Sequence, residues 1–153
     1  MRTVNLEGIS YLGADVVAEL VSANLAKHSM HDINFVCLDA VTDGLPKADL
    51  VICRDLLVHL DLKDGLRVLQ NVYRSGAKYL LTTTFPDRRV NREFSKVYRN
   101  WRPLNLEISP FRLPRPILLI NEDCREGQGQ FRDKSLGLWS VAELGLLKGT
   151  IRQ

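Results

Sequence analysis

The stretch ADLVICRDLLVHL, residues 48–60, opens with the apolar run Leu50 to Cys53 and breaks at Arg54-Asp55. The run has the length of a strand buried on both faces, where two charges have no place. In open α/β sheets, binding chemistry gathers at the carboxyl ends of the strands. The stretch therefore reads as a buried strand whose charged end meets a ligand.

The same pattern repeats on either side. Ile9 to Ala14 is a β-rich run ending at Asp15, and Val17 to His28 then carries apolar residues at 17, 20, 21 and 25, a helical spacing. Ile33 to Leu38 repeats the strand signal and stops at Asp39, ahead of the turn-forming Thr42-Asp43-Gly44. After the 48–60 stretch, Asp61 can cap a helix whose third position is Asp64, with Leu62, Leu66, Leu69 and Tyr73 on one face and Gly76 just past its end. Lys78 to Phe85 predicts a fourth strand, followed by Pro86-Asp87-Arg88. Strands alternating with helices imply an α/β domain with a largely parallel sheet.

The last third follows another plan. Asn91 to Arg102 predicts a short helix, and Pro103, Pro110, Pro114 and Pro116 then enforce an extended path. Ile117 to Glu122 and Ser135 to Val141 read as strands, and the Gly127-Gln128-Gly129 loop lets them pair antiparallel. The expected architecture is a single domain over residues 1–153, a mostly parallel sheet finished by a C-terminal antiparallel hairpin.

Composition narrows the function classes. With 45% hydrophobic and 25% charged residues in 153, the chain is globular rather than disordered. No apolar run approaches the roughly 20 residues of a membrane span, and Met1 is followed by no apolar signal region, which makes a cytoplasmic protein the expectation. Cys37, Cys53 and Cys124 form an odd set without C-x-x-C spacing, so neither a disulfide framework nor a metal site is expected. The net charge of +3 is spread out, with clusters only at Arg88-Arg89 to Arg92 and Arg99 to Arg102. That favours an anionic partner without establishing nucleic-acid binding, which is not expected here.

Several residues can carry chemistry. Asp15 ends a strand and can accept two hydrogen bonds from a ribose diol, or cap the next helix. Asp39 can accept from an adenine amine, or form the following turn. His59 can act as a base near neutral pH, although its apolar surroundings fit a hydrogen-bonded structural histidine. Trp101, Arg102, Asn105 and Glu107 lie in the proline-bounded segment, where they can orient a small substrate or pack a loop. Glu122 ends the fifth strand beside Asn121.

The segments YLGADVVAELV, FVCLDAVTDGLPKADLVICRDLLVHL, YLLTTTFP, WRPLNLEISPF, LLINE and KSLGLW, in that order between about Gly8 and Leu144, resemble the class I S-adenosylmethionine-dependent methyltransferases. The resemblance implies a Rossmann-like sheet and S-adenosylmethionine as cofactor. It places Asp15 at the cofactor ribose and Asp39 at the adenine amine, with Leu38 and Ala40 near the adenine ring. Cys53, Arg54 and Asp55 match the segment that passes the methionine end and faces substrate. Base candidates are Asp55, His59 and Glu122, needed only if the acceptor must lose a proton. The chain lacks the Asn-Pro-Pro-Tyr signature of amino-group methylation, and a small-molecule or glycan-like acceptor is the expectation.

The family also has an earlier strand and glycine-rich turn of G-x-G type, central in its sheet. This sequence offers only Thr3 to Leu6 in that place, so the expectation is an N-terminally truncated version of a longer enzyme with its first strand missing or replaced. The strands at Ile9 to Ala14 and Leu50 to Cys53 must then pair directly, accept Thr3 to Leu6, or leave a gap. Open edges invite association, including a homodimer. The alternative function is a non-catalytic remnant acting as a binding or interaction domain. A dinucleotide-dependent oxidoreductase shares the α/β plan but requires the same glycine turn.

Overall fold

The computed structural model describes residues 5–94 and 100–144. The chain divides into two compact units, Met1–Asp43 and Gly44–Gln153.

In the first unit, β1 (Tyr11–Asp15) and β2 (Ile33–Cys37) form a parallel two-stranded sheet joined by α1 (Ala18–His28). The strands start and stop within two residues of the sequence reading. Asp15 Oδ1 accepts a hydrogen bond from the Val17 N–H at 2.9 Å, which turns the chain from strand into helix. Of the helical apolar positions only Val21 is buried, while Val17, Leu20 and Leu25 are exposed. Phe35 fills the space left by Gly13, where an added Cβ would lie 2.6 Å from the ring. Gly13 thus serves the packing of an aromatic side chain.

The second unit holds β3 (Leu50–Cys53), α2 (Leu62–Arg74), β4 (Tyr79–Thr84), β5 (Leu118–Asn121) and β6 (Ser135–Ser140). Its four-stranded sheet has the order β3-β4-β6-β5. β3 and β4 are parallel, β4 and β6 antiparallel, and β5 and β6 form the expected antiparallel pair. Asp61 caps α2 by accepting from the Asp64 N–H at 2.8 Å, and Gly76 follows the helix in the left-handed region with φ +69°. The buried stripe of α2 is Gly65, Val68, Leu69 and Val72, whereas Leu62, Leu66 and Tyr73 are only half-buried. The helix face is thus rotated from the predicted one, because Phe111 seats its ring 3.2 Å from where a Gly65 Cβ would stand.

On the sheet face bearing Leu80, Thr82, Gly137 and Trp139, every one of these residues is buried. The opposite face carries Leu50, Ile52, Tyr79, Leu118 and Ile120, all exposed.

Of the three arrangements left open for β1 and β3, direct pairing does not occur: they belong to separate sheets, and neither has a second strand neighbour among the described residues. Asn5 and Leu6 are not in a strand, and the rest of the Thr3 to Leu6 segment lies outside the described residues. The helix predicted at Asn91 to Arg102 is corrected at its described ends. Residues 91–94 and 100–102 are irregular, and 95–99 lie outside the described residues. Tertiary bonds win there: Asn91 Nδ2 donates to the carbonyls of Asn105 and Ser109 at 2.7 and 2.9 Å, while Arg102 precedes Pro103, which disfavours helical backbone.

Candidate functional site

The charges that follow β3 are held by side chains from three other places in the second unit. Asp55 sits in the left-handed region with φ +56°, and its N–H donates to Thr83 Oγ1 at 2.8 Å. The Thr83 hydroxyl lies 3.2 Å from Asp55 Oδ1, to which it donates. Lys134, just ahead of β6, donates from Nζ to Asp55 Oδ2 at 2.8 Å. Arg54 Nε donates to Glu122 Oε1 at 2.8 Å, and Lys134 Nζ stands 3.6 Å from Glu122 Oε2. The ends of β3, β4 and β5 and the start of β6 are therefore joined by one network of two acids, two bases and a hydroxyl.

The network also sets protonation. Burial acts to lower the pKa of the Lys134 ammonium, but its hydrogen bond to Asp55 and the charges of Asp55 and Glu122 outweigh that, and the net shift is upward. The hydrogen bond to Glu122, and then its charge, raise the pKa of the Arg54 guanidinium. Neither base can give up a proton near neutral pH. Both Asp55 oxygens are engaged, whereas Glu122 Oε2 is buried and makes no hydrogen bond among the described residues. Of the carboxylates at this rim, Glu122 keeps an oxygen without a hydrogen bond among the described residues, with the Lys134 ammonium 3.6 Å away as its ion-pair partner.

Cys53 is buried at the end of β3, and burial pushes its thiol up to about 11 despite the partly offsetting Thr82 hydroxyl. It is a packed thiol rather than a nucleophile. His59 is exposed at the end of a 3-10 turn, Leu57–His59, with Nδ1 2.6 Å from the Asn100 carbonyl. A carbonyl can only accept, so Nδ1 carries the proton and Nε2 is left as the acceptor.

The proline-bounded residues separate by role. Trp101 is half-buried and packs edge-on against Phe131 and Phe85, with centroids 4.8 and 5.7 Å away. Asn105 is buried and donates from Nδ2 to the carbonyls of Pro86 and Arg88, both at 2.9 Å, while its Oδ1 accepts from the Glu107 N–H. Its amide is fully used in holding the loop after β4. Arg102 is buried too, donating from Nε to the Arg92 carbonyl at 2.7 Å. Glu107 is half-buried.

In the first unit, Asp15 is exposed, and among the described residues only one of its oxygens is taken, by Val17. Asp39 Oδ1 accepts from the Val41 N–H at 2.8 Å and Oδ2 from Thr42 Oγ1 at 3.1 Å, the turn-forming arrangement. Leu38 and Ala40 beside it are half-buried.

Sequence reasoning missed Lys134 and Thr83. Three consecutive threonines at the end of β4 were the available signal. Hydroxyls in a buried strand require partners, and Thr82 finds the Cys53 carbonyl at 2.8 Å as Thr83 finds Asp55.

No family model and no curated protein matches the chain. Solved structures do. A Burkholderia thailandensis 1,6-didemethyltoxoflavin-N1-methyltransferase, with its 1,6-didemethyltoxoflavin and S-adenosylhomocysteine bound, is 15% identical with a TM-score of 0.61, over 86% of this chain and 60% of that one. Human N-acetylserotonin methyltransferase in complex with SAM is 18% identical with a TM-score of 0.57, over 88% of this chain and 41% of that one. PigF with SAH is 16% identical with a TM-score of 0.57, over 86% and 48%. The chain therefore spans less than two thirds of the length of these neighbours. Its fold is that of the class I S-adenosylmethionine-dependent methyltransferases.

Proposed function

We propose that this chain is a methyltransferase domain that uses S-adenosylmethionine to methylate a small-molecule or glycan-like acceptor. The observation that supports this reading is a methyltransferase fold in which two sets of residues that the resemblance singled out stand at strand ends, Asp15 on β1 of the first unit and Arg54-Asp55 after β3 of the second. In this reading Asp15 accepts from the cofactor ribose, for which its second oxygen is open. Asp39 accepts from the adenine amine through its remaining lone pairs, with Leu38 and Ala40 against the ring. Cys53 and Arg54 border the methionine end.

The bound cofactor would supply an electrophilic methyl group on a sulfonium. The protein's task is then to position the acceptor in line and, where the acceptor carries a proton, to remove it. Glu122 is the favoured base because Oε2 makes no hydrogen bond among the described residues and has only the Lys134 ammonium at 3.6 Å as an ion-pair partner, ahead of Asp55, whose oxygens both accept hydrogen bonds, and of exposed His59. Trp101 offers an aromatic surface for the acceptor, while Arg102, Asn105 and Glu107 shape the segment that presents it. Calorimetric titration with S-adenosylhomocysteine, at protein concentrations able to detect a dissociation constant of about 1 mM, tests the reading. Saturable binding supports it; a folded chain that does not bind refutes it.

A second reading, an interaction domain without catalysis, draws on the exposed Leu50 and Ile52 of β3, an edge strand of its sheet. Concentration-dependent dimerisation by light scattering, weakened by Ile52→Lys, would favour it.

A further inference from the structure

The second unit contains a cleft of about 340 Å³ lined by Arg88, Arg89, Val90, Arg92, Arg102 and Pro103. Four of the six lining residues are arginines, and none takes part in the charged network around Asp55.

The positive charge is only partly compensated. Arg88 Nη2 donates to Asp133 Oδ1 at 2.9 Å and to the Gln130 carbonyl, yet its Nε is buried without a hydrogen bond. Arg102 is 1% exposed, with Nε on the Arg92 carbonyl and Nη1 3.4 Å from the Val58 carbonyl. Its Nη2 is buried and makes no hydrogen bond among the described residues. Glu93 Oε1 lies 3.4 Å from that nitrogen as an ion pair, but the two Glu93 oxygens already accept from the Phe94 and Leu62 N–H groups at 3.0 Å each. Arg89 and Arg92 are exposed and make no ion pair among the described residues. Among the described residues, Asp133 pairs with Arg88 and Glu93 with Arg102, and the charge of Asp61 also reaches Arg102, so three carboxylates act on four guanidinium groups.

A buried guanidinium N–H without an acceptor is unfavourable, and two of them among the residues of one basic cleft call for the same complement. The planar fork of arginine matches the paired oxygens of phosphate and carboxylate groups. Aromatic rings lie under the buried Arg102 guanidinium and the half-buried Arg88 one: the Arg102 Cζ stands 4.1 Å from the Phe94 centroid and that of Arg88 5.7 Å from Phe131. These contacts hold the guanidinium planes in place before any ligand arrives.

We propose that this cleft is an oxyanion-binding site, taking the phosphate or carboxylate group of a small anionic molecule. The open N–H groups of Arg88 and Arg102 receive its oxygens, and Arg89 and Arg92 add charge at the exposed side. The site is independent of cofactor binding and is tested without it.

The test is titration of the full chain with inorganic phosphate and, separately, with acetate, following the arginine Nε–H resonances by ¹⁵N NMR, with sodium chloride of matched ionic strength as control. Saturable shifts of Arg88 and Arg102 are expected, with a phosphate dissociation constant on the order of 1 mM. The Arg89→Gln/Arg92→Gln double variant changes only exposed side chains and should weaken binding by about tenfold. Tighter phosphate than acetate binding assigns the site to phosphate esters, and the reverse to carboxylates; both support it. Shifts that chloride reproduces, or a double variant that binds phosphate unchanged, would overturn the proposal.

Discussion

Lys134 Nζ lies 2.8 Å from Asp55 Oδ2 across 79 residues of sequence, joining the residue ahead of β6 to the left-handed residue after β3. Both side chains are largely shielded, so the contact is stronger than a surface ion pair. It anchors the charged rim of the second unit.

Because the folded pKa of Lys134 is raised, the stabilisation from this pair is complete below the unfolded lysine value of about 10.4 and is lost as pH rises through the folded value. Lys134→Met should cost about 1–3 kcal/mol at pH 7, since it leaves the half-buried Asp55 carboxylate with only Arg54, 3.8 Å away, as its cation. Urea unfolding from pH 8 to 12 should show the wild-type advantage shrinking above about pH 10.4. A gap that stays constant with pH would mean the pair contributes nothing.

Asp15→Ala should reduce S-adenosylhomocysteine affinity by about 1.5–3 kcal/mol, the cost of hydrogen bonds to a charged acceptor. Circular dichroism must first show that α1 survives loss of the Asp15 bond to the Val17 N–H. Wild-type affinity in the folded variant would remove Asp15 from the ribose.

Gly137 faces Trp139 two residues along β6, and an added Cβ would sit 2.3 Å from the indole ring. The indole is 1% exposed and tied by Nε1 to the Pro114 carbonyl at 2.7 Å, so it cannot swing away. Gly137→Ala should therefore destabilise by about 1–3 kcal/mol, with a change in tryptophan emission. Wild-type stability would show that the ring relocates freely.

Asn105→Ala should release the loop after β4, because the carbonyls of Pro86 and Arg88 lose their shared amide donor. About 1–3 kcal/mol is expected from denaturant unfolding. Hydrogen exchange adds a local readout: faster exchange at the Glu107 N–H, which donates to the same amide. Unchanged exchange there would separate Asn105 from the order of its segment.

The Cys53 thiol, pushed up to about 11 by burial, should resist alkylation at pH 8 while exposed Cys37 reacts. Mass spectrometry of the labelled chain reads this directly. Equal labelling of both would show that β3 opens readily.

How much was readable in advance varies with the range of the forces involved. The strand at Leu50 to Cys53, the Asp61 cap and the hairpin of β5 and β6 follow from interactions within a few residues, and each was legible in apolar runs, capping residues and turn glycines. Asp15 and Asp39 were legible as strand-end acids, although the turn at Asp39 uses both of its oxygens locally. The described ends of the Asn91 to Arg102 segment, residues 91–94 and 100–102, depart from the expected helix because side-chain bonds to Asn105, Ser109 and Val58, which no local pattern encodes, hold them.

Periodicity and turn chemistry act between near neighbours, so the one-dimensional chain already specified the elements, their order and the acids at their ends. Strand order and packing brought residues 68 and 79 positions apart together as Arg54 with Glu122 and Asp55 with Lys134, and left one Glu122 oxygen buried without a hydrogen bond among the described residues. Those outcomes belong to the tertiary structure, because whether a charged group is paired, buried or free depends on which distant segment the fold lays beside it.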